Sequence, residues 1–167
     1  MAKEIERKFL IANDTWRNGC DGMRGILQGY MALDGDVSLR VRIVDDAWAT
    51  LTIKSGAARL ARDEFEYSVP LSDAREMMEC CKGRVIAKTR YTIPHAGYVW
   101  EVDVYEGAHA GLVTAEVEMV SETDDPPLPD WIGPEITGDK AWSNAVLAVH
   151  GMPDGALEDR QEKRAFV

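Results

Sequence analysis

Polar and apolar residues alternate with a period of two along most of the chain. In residues 37–44, for example, the apolar Val41 has the opposite parity from Arg40 and Arg42. A period of two is typical of β-strands, whose successive side chains point to opposite faces of a sheet. The same alternation recurs in residues 4–9, 48–54, 62–69, 85–93, 99–105 and 112–120. With a further strand at 26–33, the pattern predicts about eight strands.

The connections between these strands favour an antiparallel sheet. Most are short turns such as Asp34-Gly35-Asp36, and short turns join antiparallel neighbours. Two segments instead have the spacing of amphipathic helices, one after Pro70 and one over residues 139–150. Residues 12–25 are expected to form a connection with one short helical turn, and residues 124–134 a proline-rich surface loop. The predicted fold class is therefore α+β, mainly β.

The polar positions of these strands are nearly all charged, and each strand keeps to short runs of one sign. Arg40 and Arg42 share one such face, and Glu116 and Glu118 share another. A face open to water tolerates any mixture of polar residues, whereas this restriction indicates an enclosed, specialised surface. Closing eight strands into a barrel also removes the exposed sheet edges. We predict an eight-stranded antiparallel β-barrel with charges inside and apolar faces outside, the latter partly covered by the two helices.

The predicted lumen contains both cations and anions. The cations are Lys8, Arg40, Arg42, Lys54, Arg62, Lys88 and Arg90. The anions are Glu4, Glu6, Glu64, Glu66, Glu101, Asp103, Glu116 and Glu118. Carboxylate clusters suit hard cations such as Mg²⁺ or Mn²⁺, and Arg and Lys suit phosphate oxygens. The pattern therefore favours a polyanion that bridges both sets, such as a phosphate chain with its metal ion.

Composition limits the partners. The net charge of −10, from 19 basic and 29 acidic residues, argues against nucleic acid, and no apolar run approaches the roughly 18 residues of a membrane span. Three cysteines without disulfide or zinc spacing fit a reducing cytoplasm. The three histidines, His95, His109 and His150, are expected to be solvated. We expect one domain over residues 1–153 and a polar tail over 154–167.

The opening motif, Glu4-x-Glu6-x-Lys8, resembles the hallmark of the triphosphate tunnel metalloenzymes, also called the CYTH superfamily. Later strand motifs resemble the family pattern in the expected order. They are Arg40-x-Arg42, Thr52-x-Lys54, Glu64-x-Glu66, Lys88-x-Arg90-Tyr91, Glu101-x-Asp103 and Glu116-x-Glu118, followed by Lys140 and Trp142-Ser143-Asn144. The resemblance covers roughly residues 2–151 and implies a triphosphate-binding tunnel that uses divalent metal. Among its members, this chain most resembles the short inorganic triphosphatases.

The resemblance suggests a role for each lumen residue. Glu4, Glu6 and Glu118 would hold a first metal ion. A second metal ion or the attacking water would involve Glu116, Glu64 or Asp103. The phosphate chain would be bound by Lys8, Arg40, Arg42, Lys54, Arg62 and Arg90. Lys88 would either bind phosphate or act as a general base, with Tyr30 holding it by a hydrogen bond.

Other functions stay open at this point. The runner-up is a class IV adenylate cyclase, which would hold ATP in the same lumen and release cyclic AMP and pyrophosphate. A third possibility is a non-catalytic module that binds polyphosphate or nucleotides. A homodimer is possible. Trp48 and Trp100 are candidates for stacking on a base, although the parity of Trp100 favours packing outside the barrel. Arg7 has the same outward parity.

Overall fold

The computed structural model describes residues 2–56, 61–81 and 83–157. Within these residues the chain forms nine β-strands, two α-helices and three short 3-10 helices. The strands are β1 (Ala2–Ile11), β2 (Gly22–Asp34), β3 (Val37–Val44), β4 (Trp48–Ser55), β5 (Ala61–Val69), β6 (Val85–His95), β7 (Tyr98–Tyr105), β8 (Val113–Glu118) and β9 (Ile132–Glu135). The α-helices are α1 (Leu71–Glu79) and α2 (Asn144–His150), and the 3-10 helices span Asp14–Gly19, Gly107–His109 and Lys140–Trp142.

Eight of the strands close into an antiparallel barrel. The strand order is β5-β4-β3-β2-β6-β7-β8-β1-β9, and an additional β5–β1 pairing closes the ring, with β9 attached outside to β1. Glu4 on β1 lies opposite Arg62 on β5 in this closing register. The predicted eight-stranded antiparallel barrel is therefore confirmed.

The charged faces point into the barrel. Arg90 on β6 contacts Glu116 on β8, although β7 lies between these two strands. Lys54 on β4 likewise contacts Glu4 on β1 across β5. Side chains of strands that are not neighbours approach each other most closely on the concave inner face of a closed barrel. The predicted inward orientation of the charges is therefore confirmed.

The apolar faces form the outer core. Beside the connection that carries the first 3-10 helix, Trp16, Trp100 and Trp131 are at most 7% exposed and share one cluster with apolar residues of β1, β6, β7 and β8. Burying aromatic side chains contributes heavily to such a core. Trp100 is thus outside the lumen, as its parity predicted, and Trp48 is 44% exposed.

Helix α1 covers a second outer face, formed by β3 and β4. Ala74 on α1 is completely buried against Val41 and Ile43. Gly29 on β2 permits the close approach of the segment after α1, because a Cβ at this position would lie 2.6 Å from the Cβ of Cys81. Any larger residue would push this segment away from the sheet.

Helix α2 covers one end of the lumen. Leu147 of α2 packs in a cluster with Tyr30, Ile86 and Tyr105, which have the same parity as the lumen positions of β2, β6 and β7. The Tyr105 hydroxyl also donates a hydrogen bond of 2.7 Å to Asn144 Oδ1. The charged part of the lumen therefore ends at an apolar floor on this side.

Several boundaries differ from those predicted. The helix expected over residues 139–150 is two elements, because Ser143 is extended and its hydroxyl caps α2 by accepting from Val146 N. Strand β2 starts at Gly22, earlier than residue 26, and β9 lies partly within the segment expected to be a loop. His109 was expected to be solvated, which is wrong: it is 5% exposed, and its Nε2 lies 2.7 Å from the carbonyl oxygen of Leu147.

Two other expectations fall partly outside the described residues. Residues 57–60 of the loop expected between β4 and β5, and residues 158–167 of the expected C-terminal tail, are not among them. The division into a domain over 1–153 and a tail over 154–167 stays a prediction.

Candidate active site

The strand register aligns the charged motifs on the inner wall. Glu6 on β1 is paired with Glu118 on β8, and Lys8 is paired with Glu116 one inward position further along. On β7, the other neighbour of β8, Asp103 is paired with Arg90 of β6. The side chains predicted to form the site are thus brought into one lumen, because each lies at every second position of a strand whose register is fixed by hydrogen bonds.

One group of ion pairs surrounds Glu4. Lys54 Nζ lies 2.6 Å from Glu4 Oε2 and 2.7 Å from Glu64 Oε2. Arg62 Nε lies 3.0 Å from Glu4, and its Nη2 lies 3.5 Å from Glu6 Oε1. Burial alone would raise the pKa of Glu4, but Lys54 and Arg62 outweigh it and lower the pKa to about 2. Glu4 is therefore ionised at neutral pH.

A second group surrounds Arg90. Its guanidinium lies 2.7 Å from Asp103 Oδ1 and 2.9 Å from Glu116 Oε2, and it also contacts Glu101. Lys8 Nζ lies 2.8 Å from Glu116 Oε1. Burial opposes ionisation of Glu116, but Lys8 and Arg90 hold its pKa well below the usual range. Glu116 is thus a permanent anion in this lumen.

Lys88 is almost fully enclosed, at 1% exposure. Its Nζ lies 2.5 Å from Asp103 Oδ2. Burial, reinforced by the nearby Arg90, outweighs this contact and lowers the pKa of Lys88 to about 7. A lysine with this pKa exists in both protonation states near neutral pH and is suited to proton transfer.

Tyr30 lines the lumen but is not joined to Lys88. The Tyr30 hydroxyl accepts a hydrogen bond of 3.3 Å from Gln28 Nε2, while Lys88 donates to Asp103. The hydrogen bonds of the described residues therefore do not include the predicted Tyr30–Lys88 bond. Lys88 binds Asp103 instead because a carboxylate on the adjacent strand is a stronger acceptor for an ammonium group than a phenol hydroxyl is.

Glu6 is a lumen carboxylate for which burial and neighbouring anions outweigh the nearby cations. Burial, together with the negative charges of Glu116 and Glu4, raises the pKa of Glu6 to about 7. A half-buried carboxylate that neighbouring carboxylates repel matches a site for a divalent cation, which would remove the repulsion. Glu118, paired with Glu6 and exposed at the same wall, supplies a further oxygen donor.

The acidic side chains are not preassembled around an ion. Within residues 2–56, 61–81 and 83–157, no three His, Cys, Asp or Glu side chains converge closely enough to form a metal site by themselves. Instead, most lumen carboxylates contact a lysine or arginine. The donor chemistry of Glu4, Glu6 and Glu118 fits Mg²⁺ or Mn²⁺, but Glu4 would first have to give up its contact with Lys54.

The remaining cations have polar partners, one of which, Gln28, the sequence analysis did not single out. Arg40 Nη2 donates to Thr52 Oγ1 at 3.0 Å, and Thr52 donates to Glu66. Arg42 donates through Nε and Nη2 to Gln28 Oε1. Thr52 shares the parity of Lys54, which is a usable signal. Gln28 is neutral, and β2 alternates irregularly because of a bulge between Tyr30 and Ala32.

The closed antiparallel barrel with its charged lumen defines a class of tunnel proteins. The model of the CYTH domain family matches residues 2–141. This chain belongs to that family.

Curated relatives and a solved structure agree with this assignment. The chain is 40% identical over 148 residues to an inorganic triphosphatase of Acetivibrio thermocellus, covering 88% of this chain and 94% of the relative. It is 34% identical over 151 residues to an inorganic triphosphatase of Nitrosomonas europaea, covering 87% and 97%.

The crystal structure of the inorganic triphosphatase NE1496 aligns with a TM-score of 0.64 at 31% identity, covering 92% of this chain and 99% of that one. A putative adenylyl cyclase from Hippeastrum aligns with a TM-score of 0.51 at 14% identity, covering 72% and 80%, and shares the fold.

Proposed function

We propose that this protein hydrolyses a linear triphosphate, with inorganic tripolyphosphate as the first candidate, using a divalent metal ion. The observation that carries the proposal is the pairing of two complete charge sets in one lumen, such as Lys54 with Glu4 and Lys8 with Glu116. A metal–triphosphate complex offers anionic oxygens to the cations and a cation to the carboxylates. When this complex binds, ion pairs between lumen side chains would be replaced by ion pairs between the side chains and the complex. The names of the relatives that are 40% and 34% identical support the same reaction.

The cations supply phosphate binding. Arginine guanidinium groups bind phosphate oxygens in bidentate fashion, and lysines act as point charges. Because the lumen is partly enclosed, these charges act in a low dielectric and offset the charge that develops in the transition state. The phosphate-binding set proposed here is Lys8, Arg40, Arg42, Lys54, Arg62 and Arg90, with Lys88 as a further member.

The metal ion is proposed to be Mg²⁺ or Mn²⁺. Glu4, Glu6 and Glu118 would hold it, and Glu64, Asp103 and Glu116 are the candidates for a second ion. When bound, such an ion polarises phosphoryl oxygens and offsets their charge. Binding of the ion would relieve the repulsion of Glu6 by Glu116 and Glu4, which makes metal binding favourable at this position.

Lys88 is the proposed acceptor of the proton from the attacking water. Its pKa of about 7 leaves a substantial fraction neutral at physiological pH. Asp103 fixes the ammonium position at 2.5 Å, and the ionised Glu116 keeps Lys8 and Arg90 in place. Tyr30 lines the lumen, where its hydroxyl accepts a hydrogen bond from Gln28. The water oxygen then attacks phosphorus as the P–O bond to the leaving phosphate breaks.

The cellular setting is part of the proposal. Cys20, Cys80 and Cys81 are all free thiols, which fits a reducing cytoplasm. Neither α-helix in the described part of the chain has the length and apolar character that a membrane crossing requires. A small-molecule substrate, no nucleic-acid partner and a possible homodimer complete the proposal, and the oligomeric state can be measured by light scattering.

A phosphate-release panel tests the function. Tripolyphosphate, ATP, GTP and thiamine triphosphate are incubated with Mg²⁺ or Mn²⁺, and the products are separated. We expect orthophosphate and pyrophosphate from tripolyphosphate at the highest rate. Formation of cyclic AMP from ATP would indicate a cyclase. Tight tripolyphosphate binding without turnover in either metal would indicate a binding module.

A further inference from the structure

Arg42 differs from the other lumen cations in its partner. Among the described residues, six lumen cations contact at least one carboxylate: Lys8, Arg40, Lys54, Arg62, Lys88 and Arg90. The hydrogen bonds of the Arg42 guanidinium within this described part of the chain go to the neutral amide of Gln28. Within this part of the chain, Arg42 therefore lacks the carboxylate contact that each of the other six cations has.

Gln28 is built into the wall of the lumen. It is 0% exposed and lies directly opposite Arg42 in the β2–β3 register. Gln28 Oε1 accepts from Arg42 Nε at 3.3 Å and from Nη2 at 3.2 Å. Gln28 Nε2 donates to the Tyr30 hydroxyl at 3.3 Å, which fixes the orientation of the amide. Two donors on one oxygen hold the guanidinium plane in a single direction.

A neutral partner has a specific consequence at this position. A carboxylate would hold Arg42 in the same place but would cancel its charge, as Asp103 does for Arg90. An apolar side chain would leave the charge but not the orientation. Burial and the nearby positive charges of Arg40 and Arg90 lower the pKa of Arg42 to about 10. An anion that binds here would therefore meet several positive charges. Only an uncharged hydrogen-bond acceptor provides both orientation and charge.

We infer that Gln28 is a positioning residue that orients Arg42 and leaves its charge available for the terminal phosphoryl group of a linear polyphosphate. A terminal phosphoryl group carries up to two negative charges near neutral pH, since its second pKa is about 6. An internal group carries one. The least compensated cation of the lumen is therefore matched to the most anionic part of the substrate. This inference rests on the proposed function and deepens it.

Two near-isosteric variants separate orientation from charge. Gln28→Met removes the acceptor, and Gln28→Glu keeps it but neutralises Arg42. Tripolyphosphate binding is measured by calorimetry in EDTA, and KM and kcat are measured with Mg²⁺. We expect binding about 10-fold weaker for Gln28→Met and about 100-fold weaker for Gln28→Glu, with KM raised far more than kcat is lowered. A structural role alone would not rank the charged variant below the apolar one.

A double-mutant cycle with Arg42→Gln shows whether Gln28 acts through Arg42. In that background, Gln28→Met should change tripolyphosphate affinity by less than about twofold, because the group it orients is gone. Thermal unfolding midpoints identify any variant that fails to fold. If a Gln28 variant fails to fold, the tripolyphosphate affinity of Arg42→Gln is compared with that of the wild type. The inference then requires that this affinity is at least about 10-fold weaker.

The outcomes separate this inference from the proposed function. Wild-type affinity in both Gln28 variants, or equal losses in the two Arg42 backgrounds, overturns the inference alone. A wild-type protein that neither binds tripolyphosphate in EDTA nor hydrolyses it with Mg²⁺ or Mn²⁺ overturns both. The predicted ranking of affinities without any turnover supports the role of Gln28 and overturns the hydrolase proposal.

Discussion

Arg90 Nη2 lies 2.9 Å from Glu116 Oε2, although Arg90 belongs to β6, Glu116 belongs to β8 and β7 separates them. This contact passes over the inner face of β7 and joins two strands of the lumen wall that are not neighbours. It also shows how the barrel tolerates so many buried charges, because each carboxylate of this group is offset by a cation. The same arrangement makes the cations available to a substrate that replaces the carboxylates as their partner.

Removing Arg90 should therefore be costly for stability. Arg90→Met leaves Glu116 with Lys8, and Asp103 with Lys88, as their remaining cations. We expect a loss of about 3–5 kcal/mol in the free energy of unfolding, since breaking a buried pair leaves buried carboxylates with too little compensating charge. Urea denaturation measures this loss. Arg75→Ala is the matched control, because Arg75 pairs with Asp46 at the surface, and a change of more than about 1 kcal/mol there would be unexpected.

The parity of adjacent residues on β1 gives a second prediction. Arg7 points outward and binds Glu135 with Nε at 2.9 Å and Nη2 at 2.8 Å, while Lys8 points inward. Arg7→Ala should lower stability by about 1 kcal/mol and leave turnover unchanged. Lys8→Ala should lower kcat/KM at least about 100-fold. Steady-state kinetics of the two variants check this contrast, and similar losses of activity in both would contradict the assigned orientation.

Gly29 allows a direct test of how α1 and the segment after it pack. Gly29→Ala should lower stability by about 1–3 kcal/mol, because its Cβ would lie 2.6 Å from Cys81 Cβ and 2.8 Å from Met78 Sδ. Gly22→Ala on the same strand is the control, since its nearest contact would be an ordinary 3.7 Å to Thr92. Chemical denaturation of both variants provides the comparison, and equal effects would contradict the described packing.

Glu6 should make stability depend on pH in the absence of metal. Its pKa rises from 4.5, the ordinary value of a glutamate side chain in water, to about 7 in the fold. The folded state therefore binds more protons than the unfolded state between these values. Stability should accordingly fall as pH rises from about 4.5 to 7, and the Glu6→Gln variant should lack this part of the loss. Urea midpoints at pH 5 and pH 8 in EDTA measure the difference between variant and wild type.

The same reasoning predicts the effect of adding metal. Mg²⁺ should raise the wild-type urea midpoint more at pH 8 than at pH 5, because the ion competes with the proton for Glu6. The Glu6→Gln variant should respond weakly at both values. If the urea midpoints of wild type and Glu6→Gln differ by the same amount at pH 5 and pH 8, the electrostatic environment assigned to Glu6 is wrong.

Local alternation was sufficient to predict the barrel. Charges such as Arg40 and Arg42 at every second position can be buried only if they face one another, and a closed sheet provides such an interior. The apolar parity of Trp100 and the outward parity of Arg7 follow from the same pattern. These predictions succeed because a one-residue change of register would reverse every side chain of a strand.

Features that depend on tertiary contacts were not predictable in the same way. His109 lies in a turn and is buried because α2 packs over it, which no local pattern reports. Gln28 is neutral and lies near a bulge, so the charge pattern does not include it. The contact of Glu4 with Lys54 joins residues on strands that are far apart in sequence, and their distance depends on the closed barrel.

Phosphate release from tripolyphosphate, measured for wild type and Glu6→Gln before and after EDTA, tests the central claim most directly. The account predicts that wild-type release requires Mg²⁺ or Mn²⁺, stops with EDTA and returns when excess metal is restored. It also predicts that Glu6→Gln is at least about 100-fold slower than wild type when either metal is present. Release that persists in EDTA, or a Glu6→Gln variant with the wild-type rate, would contradict it.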